Sequence, residues 1–415
     1  MTHQSMFSGK RLGWTLAASA AVILAPSAHA VEMTAGDWKF SASGNVNAHY
    51  IIAKCDDTPV GIGGGLACGV PAGGDSTSSS VSNGLLPAAL AISASTTQNG
   101  YDLAATFGFF PGIATNDGSP NLQGGASALG TNTALGTTGI DMRQVFLTFG
   151  NKEIGTFLLG RNIGLFGQDA ILGDMTLLGV GTVGSNAAPA NTSLGSIGLG
   201  YIYTDWLAQI DYTTPDISGF KFTIGLFDPI EPTGFVTPTV GPTPKSSPGF
   251  HGKAAYTAGD LYLSATFLSQ QQKGLTSATD YDSFAFDVGG KYKAGPVELM
   301  AYYYNGSGVG TTGLFFDSSD GLGNKRDSDG FLAQVTYTIN KTKLGLNYGQ
   351  SNLDLASGEV NPTLVKTNSK YTFGVYHKLT DNLTLLGEFT DTKSEAQNGT
   401  DNKAKSFNVG AFLAF

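Results

Sequence analysis

Hydrophobic residues occur at every second position over most of this chain. In residues 405–415 they are Phe407, Val409, Ala411, Leu413 and Phe415, and the positions between them are small or polar apart from Phe412. A period of two is typical of a β-strand with one face in an apolar medium. A strand of about ten residues, apolar on one face and small or polar on the other, is the unit of a transmembrane β-barrel.

The same alternation returns along the chain, beginning with the even positions from Trp38 to Ile52. Short turns such as 98–100, whose Asn-Gly pair is a hairpin signal, join the strands in pairs. We count sixteen strands and leave 14 or 18 open, because the strands near 88–96 and 252–257 are weak. Long polar loops separate the pairs, near residues 54–86, 111–139, 162–198, 228–250, 269–282, 305–328, 350–368 and 391–404.

Short connections on one side of the membrane and long ones on the other are typical of outer-membrane barrels. Lipid offers no hydrogen-bond partner to an open strand edge, so we expect the first strand to pair with the last. The predicted fold is therefore an all-β, antiparallel transmembrane barrel over residues 31–415. A soluble β-propeller is the alternative, but it would need blade-sized repeats, and the sequence shows none.

The first thirty residues depart from this pattern. Lys10 and Arg11 precede a mostly apolar run at 12–25, and the small-residue site Ala28-His29-Ala30 follows. This arrangement predicts a secretory signal peptide over residues 1–30, cleaved after Ala30. The run is too short for a membrane-spanning helix, which needs ~20 residues.

Charge and cysteine content narrow the functional classes. Without the leader, 21 basic residues remain against 32 acidic ones, a net charge of −11, which argues against nucleic-acid binding. Cys55 and Cys68 enclose twelve residues, and in an exported protein such a pair predicts a disulfide. A disulfide closing a loop of this size contributes roughly 3 kcal/mol in the chain-entropy model. We expect no metal and no cofactor, because no second Cys or His pair lies near the cysteines.

Three stretches resemble the general porins of Gram-negative outer membranes. Residues 143–147 (RQVFL) followed by 155–161 (GTFLLGR) are similar to the paired strands that lead into loop three of that family. Residues 211–220 (DYTTPDISGF) are similar to the strand, turn and strand after that loop, and the chain ends on Phe415 as those porins end on Phe.

The resemblance implies a sixteen-stranded barrel, usually a homotrimer, through which small hydrophilic solutes and ions diffuse passively. It also implies a location in the outer membrane, contact with lipid and lipopolysaccharide, and Phe415 as a signal to the barrel-assembly machinery. By position, residues 162–198 would be loop three, folded into the lumen. Asp169 and Asp174 would be its acidic members.

Arg143 and Arg161, on the flanking strands, are the candidate basic wall of this constriction. Opposed charges across a narrow aqueous gap produce a transverse field that polar solutes tolerate better than apolar ones. By strict alternation, however, both arginines share the parity of apolar neighbours. They would then face lipid, unless they lie above the apolar band or a bulge at Gly160 reverses the parity.

Other charged residues have the inward parity and are candidates to line the lumen: Lys39, His49, Lys221, Asp287, Lys291, Glu298 and Glu388. The net negative charge hints at a preference for cations, although most of that charge lies in loops. The ion selectivity and the natural solute stay open.

Other functions remain as alternatives. A substrate-specific channel would carry a binding ladder in the lumen, and a surface adhesin would use its loops. An enzyme on a barrel would need a Ser/His or Asp/His grouping that the sequence does not show, so we expect no catalytic residues. Residues 179–184 match G-x-G-x-x-G but lack the strand and helix of a dinucleotide site, and the acidic run 317–329 lacks the spacing of a calcium loop.

Overall fold

The computed structural model describes residues 30–56, 60–68, 76–113, 140–183, 192–232, 246–274 and 279–415. Residues 1–29 of the predicted signal peptide and residues 114–139 of the predicted loop at 111–139 lie outside the described residues. Within the described chain, no helix is long and apolar enough to cross a membrane.

Almost all regular structure is antiparallel strand. Besides one short helix, α1 (Gln168–Gly173), and a 3₁₀ turn (Met175–Leu178), the elements are β1 (Val31–Ala35), β2 (Trp38–Cys55), β3 (Thr77–Ser82), β4 (Ala89–Gln98), β5 (Tyr101–Pro111), β6 (Ile140–Asn151), β7 (Gly155–Ile163), β8 (Trp206–Thr213), β9 (Phe220–Phe227), β10 (Gly249–Ala258), β11 (Leu261–Gln272), β12 (Tyr281–Ala294), β13 (Val297–Ser307), β14 (Asp327–Ile339), β15 (Thr342–Leu353), β16 (Val365–Lys378), β17 (Leu383–Ala396) and β18 (Asp401–Ala414).

The sheet closes on itself, because β18 pairs with β2. β3 and β4 pair with the two halves of the same edge of β2. Together they fill one strand position that residues 83–88 interrupt. β1 forms a hairpin with the start of β2, below the end of β18. The barrel therefore has sixteen strand positions, which confirms the predicted fold class and strand count.

The two faces of the wall differ as the period of two predicts. Phe407, Val409 and Leu413 are 44–49 % exposed on the outside, whereas Asn408 is almost fully buried within the barrel. The apolar exception Phe412 also points inward, where it joins a hydrophobic cluster inside the barrel. At the short turn after β4, Asn99 and Gly100 both have positive φ (51° and 82°), as a type I′ hairpin requires.

The long loop predicted at 391–404 is wrong. β17 continues to Ala396 and β18 begins at Asp401, so only a tight turn joins them. Above the apolar band, outward side chains meet water and form ion pairs, and the Nζ atom of Lys393 lies 2.9 Å from Glu395 and 3.0 Å from Asp401. The polar composition that indicated a loop belongs to strands that extend beyond the membrane.

Candidate functional site

The described parts of the connection between β7 and β8, residues 164–183 and 192–205, pass through the interior of the barrel. We call them loop three. Side chains from four strands of the far wall accept hydrogen bonds of 2.8–3.0 Å from its backbone amides: Asp287 of β12, Gln334 of β14, Ser351 of β15 and Glu388 of β17. Its apolar residues, among them Phe166, Ile171 and Leu199, form the hydrophobic cluster that fills this part of the barrel.

Asp169, in the first turn of α1, makes the ion pair that joins loop three to the wall. Its carboxylate accepts a hydrogen bond of 2.7 Å from the Nζ atom of Lys253 on β10 and one of 3.1 Å from the hydroxyl of Tyr262 on β11. Burial alone would raise the pKa of Asp169, but the charge and hydrogen bond of Lys253 outweigh burial and lower it. Asp169 is therefore a fixed negative charge at the barrel wall.

Asp174 forms its shortest hydrogen bonds within loop three. It is buried, accepts hydrogen bonds from the backbone and hydroxyl of Thr176 at 2.9 and 2.8 Å, and accepts one from the Tyr201 hydroxyl at 3.0 Å. Among the described residues no Lys or Arg side chain forms an ion pair with it. Asp174 thus caps the 3₁₀ turn and fixes the fold of loop three itself.

Arg143 points into the barrel because of a β-bulge. Gly108 of β5 pairs with Gln144 and Phe109 pairs with Met142, so Arg143 is the extra residue and its parity is reversed. Its Nε atom donates to Asp141 at 2.8 Å, and its guanidinium lies 5.1 Å from the ring centre of Phe110. No bulge reverses the parity at Gly160, since both ladders run through that residue without a shift.

Arg161 lies on the outer face. It is paired with Val145 of β6 and Ala208 of β8, both of which point outward, and its Nε atom donates to the carbonyl oxygen of Met142 at 3.2 Å. Because no bulge reverses the parity of β7, the placement of Arg161 in the constriction is corrected. Of the four predicted constriction residues, Asp169 makes an ion pair with the wall, to Lys253.

The sequence did not predict Lys253 as the partner of Asp169. Lys253 belongs to β10, the strand whose sequence alternation near 252–257 was weak. The signal was nevertheless present, because Lys253 has the same parity as the inward His251, whose Nε2 atom lies 2.8 Å from Asp211.

The predicted lumen residues divide into two groups. Four have inward parity near the short turns: Lys39, Lys221, Lys291 and Glu298. Lys39 forms an exposed ion pair of 2.7 Å with Glu32. The others are buried deeper: Asp287 and Glu388 hold loop three, and His49 is 1 % exposed with no hydrogen-bond partner for either ring nitrogen among the described residues.

Glu388 occupies the glycine-rich turn that matched G-x-G-x-x-G. It accepts hydrogen bonds from the backbone amides of Val180 at 2.8 Å and Gly181 at 2.9 Å. A Cβ atom at Gly179 would collide with the same carboxylate, so a glycine is needed there. The turn therefore uses its amides to bind a carboxylate of the wall.

A tyrosine hydroxyl donates to each of four interior carboxylates. The pairs, at 2.6–3.2 Å, are Tyr262 with Asp169, Tyr201 with Asp174, Tyr302 with Asp287 and Tyr376 with Glu388. These carboxylates are therefore held in place by neutral donors and by backbone amides. Only Asp169 among them also forms an ion pair within the described chain.

Four inward lysines lie on one side of the barrel, away from the inward Lys39 of β2. Lys221, Lys253, Lys291 and Lys343 lie on β9, β10, β12 and β15, toward the short-turn end of the barrel. Lys291 and Lys343 have no carboxylate within 4.0 Å among the described residues, and the Nζ atom of Lys343 lies 4.7 Å from the ring centre of Tyr376. Hydroxyl residues instead line the start of the opposite wall, at Ser41, Ser43, Ser93 and Ser95.

Two further predicted features involve β2. Cys55, its last residue, is joined to Cys68 by a disulfide. Within the strand, the backbone of Gly44 exchanges hydrogen bonds of 2.8 and 2.9 Å with Phe415, whose ring lies against that glycine. The described residues contain no group of three His, Cys, Asp or Glu side chains that could hold a metal ion.

Comparison with known proteins agrees with this architecture. The Gram-negative porin family matches residues 15–397. Among solved structures, the outer-membrane channel DcaP of Acinetobacter baumannii is 15 % identical with a TM-score of 0.66, covering 92 % of this chain and 99 % of its own. OmpF of Salmonella typhi is 12 % identical with a TM-score of 0.58, covering 93 % and 100 %.

OmpT of Vibrio cholerae is 15 % identical with a TM-score of 0.56, and the alignment covers 93 % of this chain and 100 % of that one. At these identities the likeness concerns the fold. No curated protein sequence matches this chain.

Proposed function

Because this chain belongs to the Gram-negative porin family and is a general diffusion porin of the outer membrane, we propose that loop three sets the narrowest part of its passage. The observation that carries this proposal is the anchoring of loop three across the closed barrel by Asp287, Gln334, Ser351 and Glu388. A segment held from four strands stays in the lumen. Solutes then pass between it and the rest of the wall.

The chemistry of this passage favours small hydrophilic solutes. The Asp169–Lys253 pair and the free lysines hold water in the narrow part through their fields. An apolar solute would have to displace that water without replacing its hydrogen bonds. Transport of this kind breaks no covalent bond, so the proposed role is a passive channel and not an enzyme.

We further propose a preference for anions, in contrast to the hint from net charge. Asp287 and Glu388 are surrounded by hydrogen-bond donors and face loop three, so their charges are screened from a passing ion. Lys291 and Lys343 have no paired carboxylate among the described residues. The charges that a solute meets beside loop three are thus mainly positive.

A homotrimer is the proposed assembly. The trimer form of OmpT from Vibrio cholerae has the same fold, with a TM-score of 0.54 at 14 % identity. We propose, as the family implies, export by cleavage after Ala30, contact with lipopolysaccharide, and Phe415 as the signal to the barrel-assembly machinery.

The test is conductance in a planar lipid bilayer with detergent-purified, folded protein. We expect stepwise increases in current that persist for minutes and scale with salt concentration, as a water-filled pore gives. Folded protein that inserts but produces no steps would overturn the proposed function.

A further inference from the structure

The strand pair β2–β3 is joined by a connection whose described part, residues 60–68, also turns into the barrel. We call residues 60–68 loop one. Loop three is anchored to β10–β17, whereas loop one lies against the inner faces of β16, β17 and β18. It therefore occupies the end of the lumen opposite the short turns.

Hydrogen bonds to three inward side chains fix its backbone. Asn402 of β18 both donates to and accepts from the backbone of Val60, at 2.8 and 2.9 Å. Ser394 of β17 accepts from the amides of Leu66 and Ala67 at 2.8 and 2.9 Å. Asn368 of β16 donates to the carbonyl oxygen of Gly64 at 3.0 Å.

Apolar contacts hold loop one between the other interior loops. Ile62 packs with Leu353 and Leu364 in a small hydrophobic cluster at the ends of β15 and β16. Leu66 belongs to the large cluster that loop three forms, and it lies against Gly198 of that loop. The backbone of Gly63 also exchanges hydrogen bonds with Thr363 and Val365, at 2.9 and 2.8 Å.

The disulfide ties loop one to the barrel. Cys55 is the last residue of β2 and Cys68 ends the described part of loop one, so the intervening chain is a closed ring attached to the wall. Cross-linking limits how far this ring can swing out of the lumen. Asn368, Ser394 and Asn402, which would line an open mouth, are at most 1 % exposed beneath it.

We propose that loop one is a second size filter, placed above loop three on the path of entering solutes. The proposal rests on the diffusion function stated above. Cys55, Cys68 and the three wall residues would then help to set the largest solute that enters the channel. Without loop one, loop three alone would set that size.

The experiment measures swelling of liposomes that contain the full-length protein, in sugars of increasing size from arabinose to raffinose. One variant, Cys55→Ser with Cys68→Ser, opens the ring, and a second, Asn368→Ala with Ser394→Ala and Asn402→Ala, removes the wall contacts. The control, Thr213→Ala with Thr223→Ala, removes a hydroxyl pair of 2.9 Å on the inner face of β8 and β9, far from loop one. Heat-dependent mobility in SDS gels checks that each barrel is folded.

We expect both variants to raise the rate for raffinose relative to arabinose at least twofold, with the control unchanged. The proposal would be overturned if either variant folds and its ratio of raffinose to arabinose rates equals that of the wild type. If the cysteine variant fails to fold, the alanine variant decides alone. Absence of swelling by the wild-type protein in every sugar would instead overturn the diffusion function, so the two failures are distinguishable.

Discussion

Lys253 on β10 lies 2.7 Å from the carboxylate of Asp169, and this ion pair joins the wall of the barrel to the helix of loop three. The two residues are far apart in sequence, and the pair exists only because the connection after β7 turns inward. It places one positive and one negative charge side by side within the barrel.

Replacing Asp169 by Asn should shift the selectivity of the channel toward anions. The variant leaves the charge of Lys253 without its partner, and one unit charge at ~6 Å in water changes the energy of an ion enough for an about threefold change in permeability ratio. The reversal potential in a KCl gradient measures this. Asp260→Asn, in a short exposed turn, removes the same charge and is the control. A shift of the reversal potential as large as that of Asp169→Asn would contradict a local effect of Asp169.

Removing the free lysines should have the opposite effect. Lys291→Gln with Lys343→Gln should reduce the preference for anions about sixfold, since two unit charges at ~8 Å in water are lost. The same reversal-potential measurement applies. Lys152→Gln, at an exposed turn, should leave the potential unchanged. An unaltered potential in the double variant would show that these lysines do not face the ion path.

Much of the fold could be predicted from the sequence, because lipid forces a period of two on every spanning strand. The first-to-last closure and a count of sixteen strands, with 14 or 18 left open, follow from that pattern. The site was harder to predict, because a β-bulge inserts one extra residue into a strand and so reverses which face the following side chains occupy. The bulge at Arg143 has no sequence signal of its own, so Arg143 and Arg161, with the same expected parity, lie on opposite faces.

Contacts between residues distant in sequence were the second feature that the sequence could not predict. Glu388 and Val180 are 208 positions apart, and no local pattern links a wall carboxylate to a glycine-rich turn. Lys253 could have been found, since its parity is inward, but it lies on a short strand that the alternation marks weakly. The parts of β17 and β18 above the membrane band have the composition of a loop, because charged side chains alternate there with polar ones.

Asp205, at the end of loop three, should make stability depend on pH. Burial raises the pKa of Asp205 to about 6, although a hydrogen bond from the Trp206 amide lowers it in part. The folded state therefore holds the proton more tightly than the unfolded state does. Its contribution is favourable below the ordinary carboxyl pKa and is lost as the pH rises toward 6.

Asp205→Asn should accordingly stabilise the protein at pH 8 and change little at pH 3.5. Asn also suits the positive φ of 60° at this position. The midpoint of thermal unfolding in detergent, followed by tryptophan fluorescence, measures the change. Asp260→Asn is again the control, and a gain that is equal at both pH values would contradict the assignment.

Gly44→Ala should weaken the closure of the barrel. A Cβ atom there would lie 2.8 Å from the Phe415 ring and would collide with the carbonyl oxygen of Ala89. Overpacking of this kind typically costs about 1–3 kcal/mol. Gly387→Ala, where the nearest atom is 3.4 Å away, is the matched control. Refolding yield in detergent should fall for the first variant only; an equal yield for both would refute the closure contact.

The most direct test of the account is whether loop three lies in the path of the current. Leu178→Cys places a thiol on a partly buried position of loop three, in a chain whose own two cysteines form a disulfide. Asn398→Cys, in the exposed turn after β17, is the control. A bulky, charged methanethiosulfonate reagent added during single-channel recording should lower the conductance of the Leu178 variant and leave the control unchanged. Full modification of Leu178→Cys with no change in conductance would contradict a constriction formed by loop three.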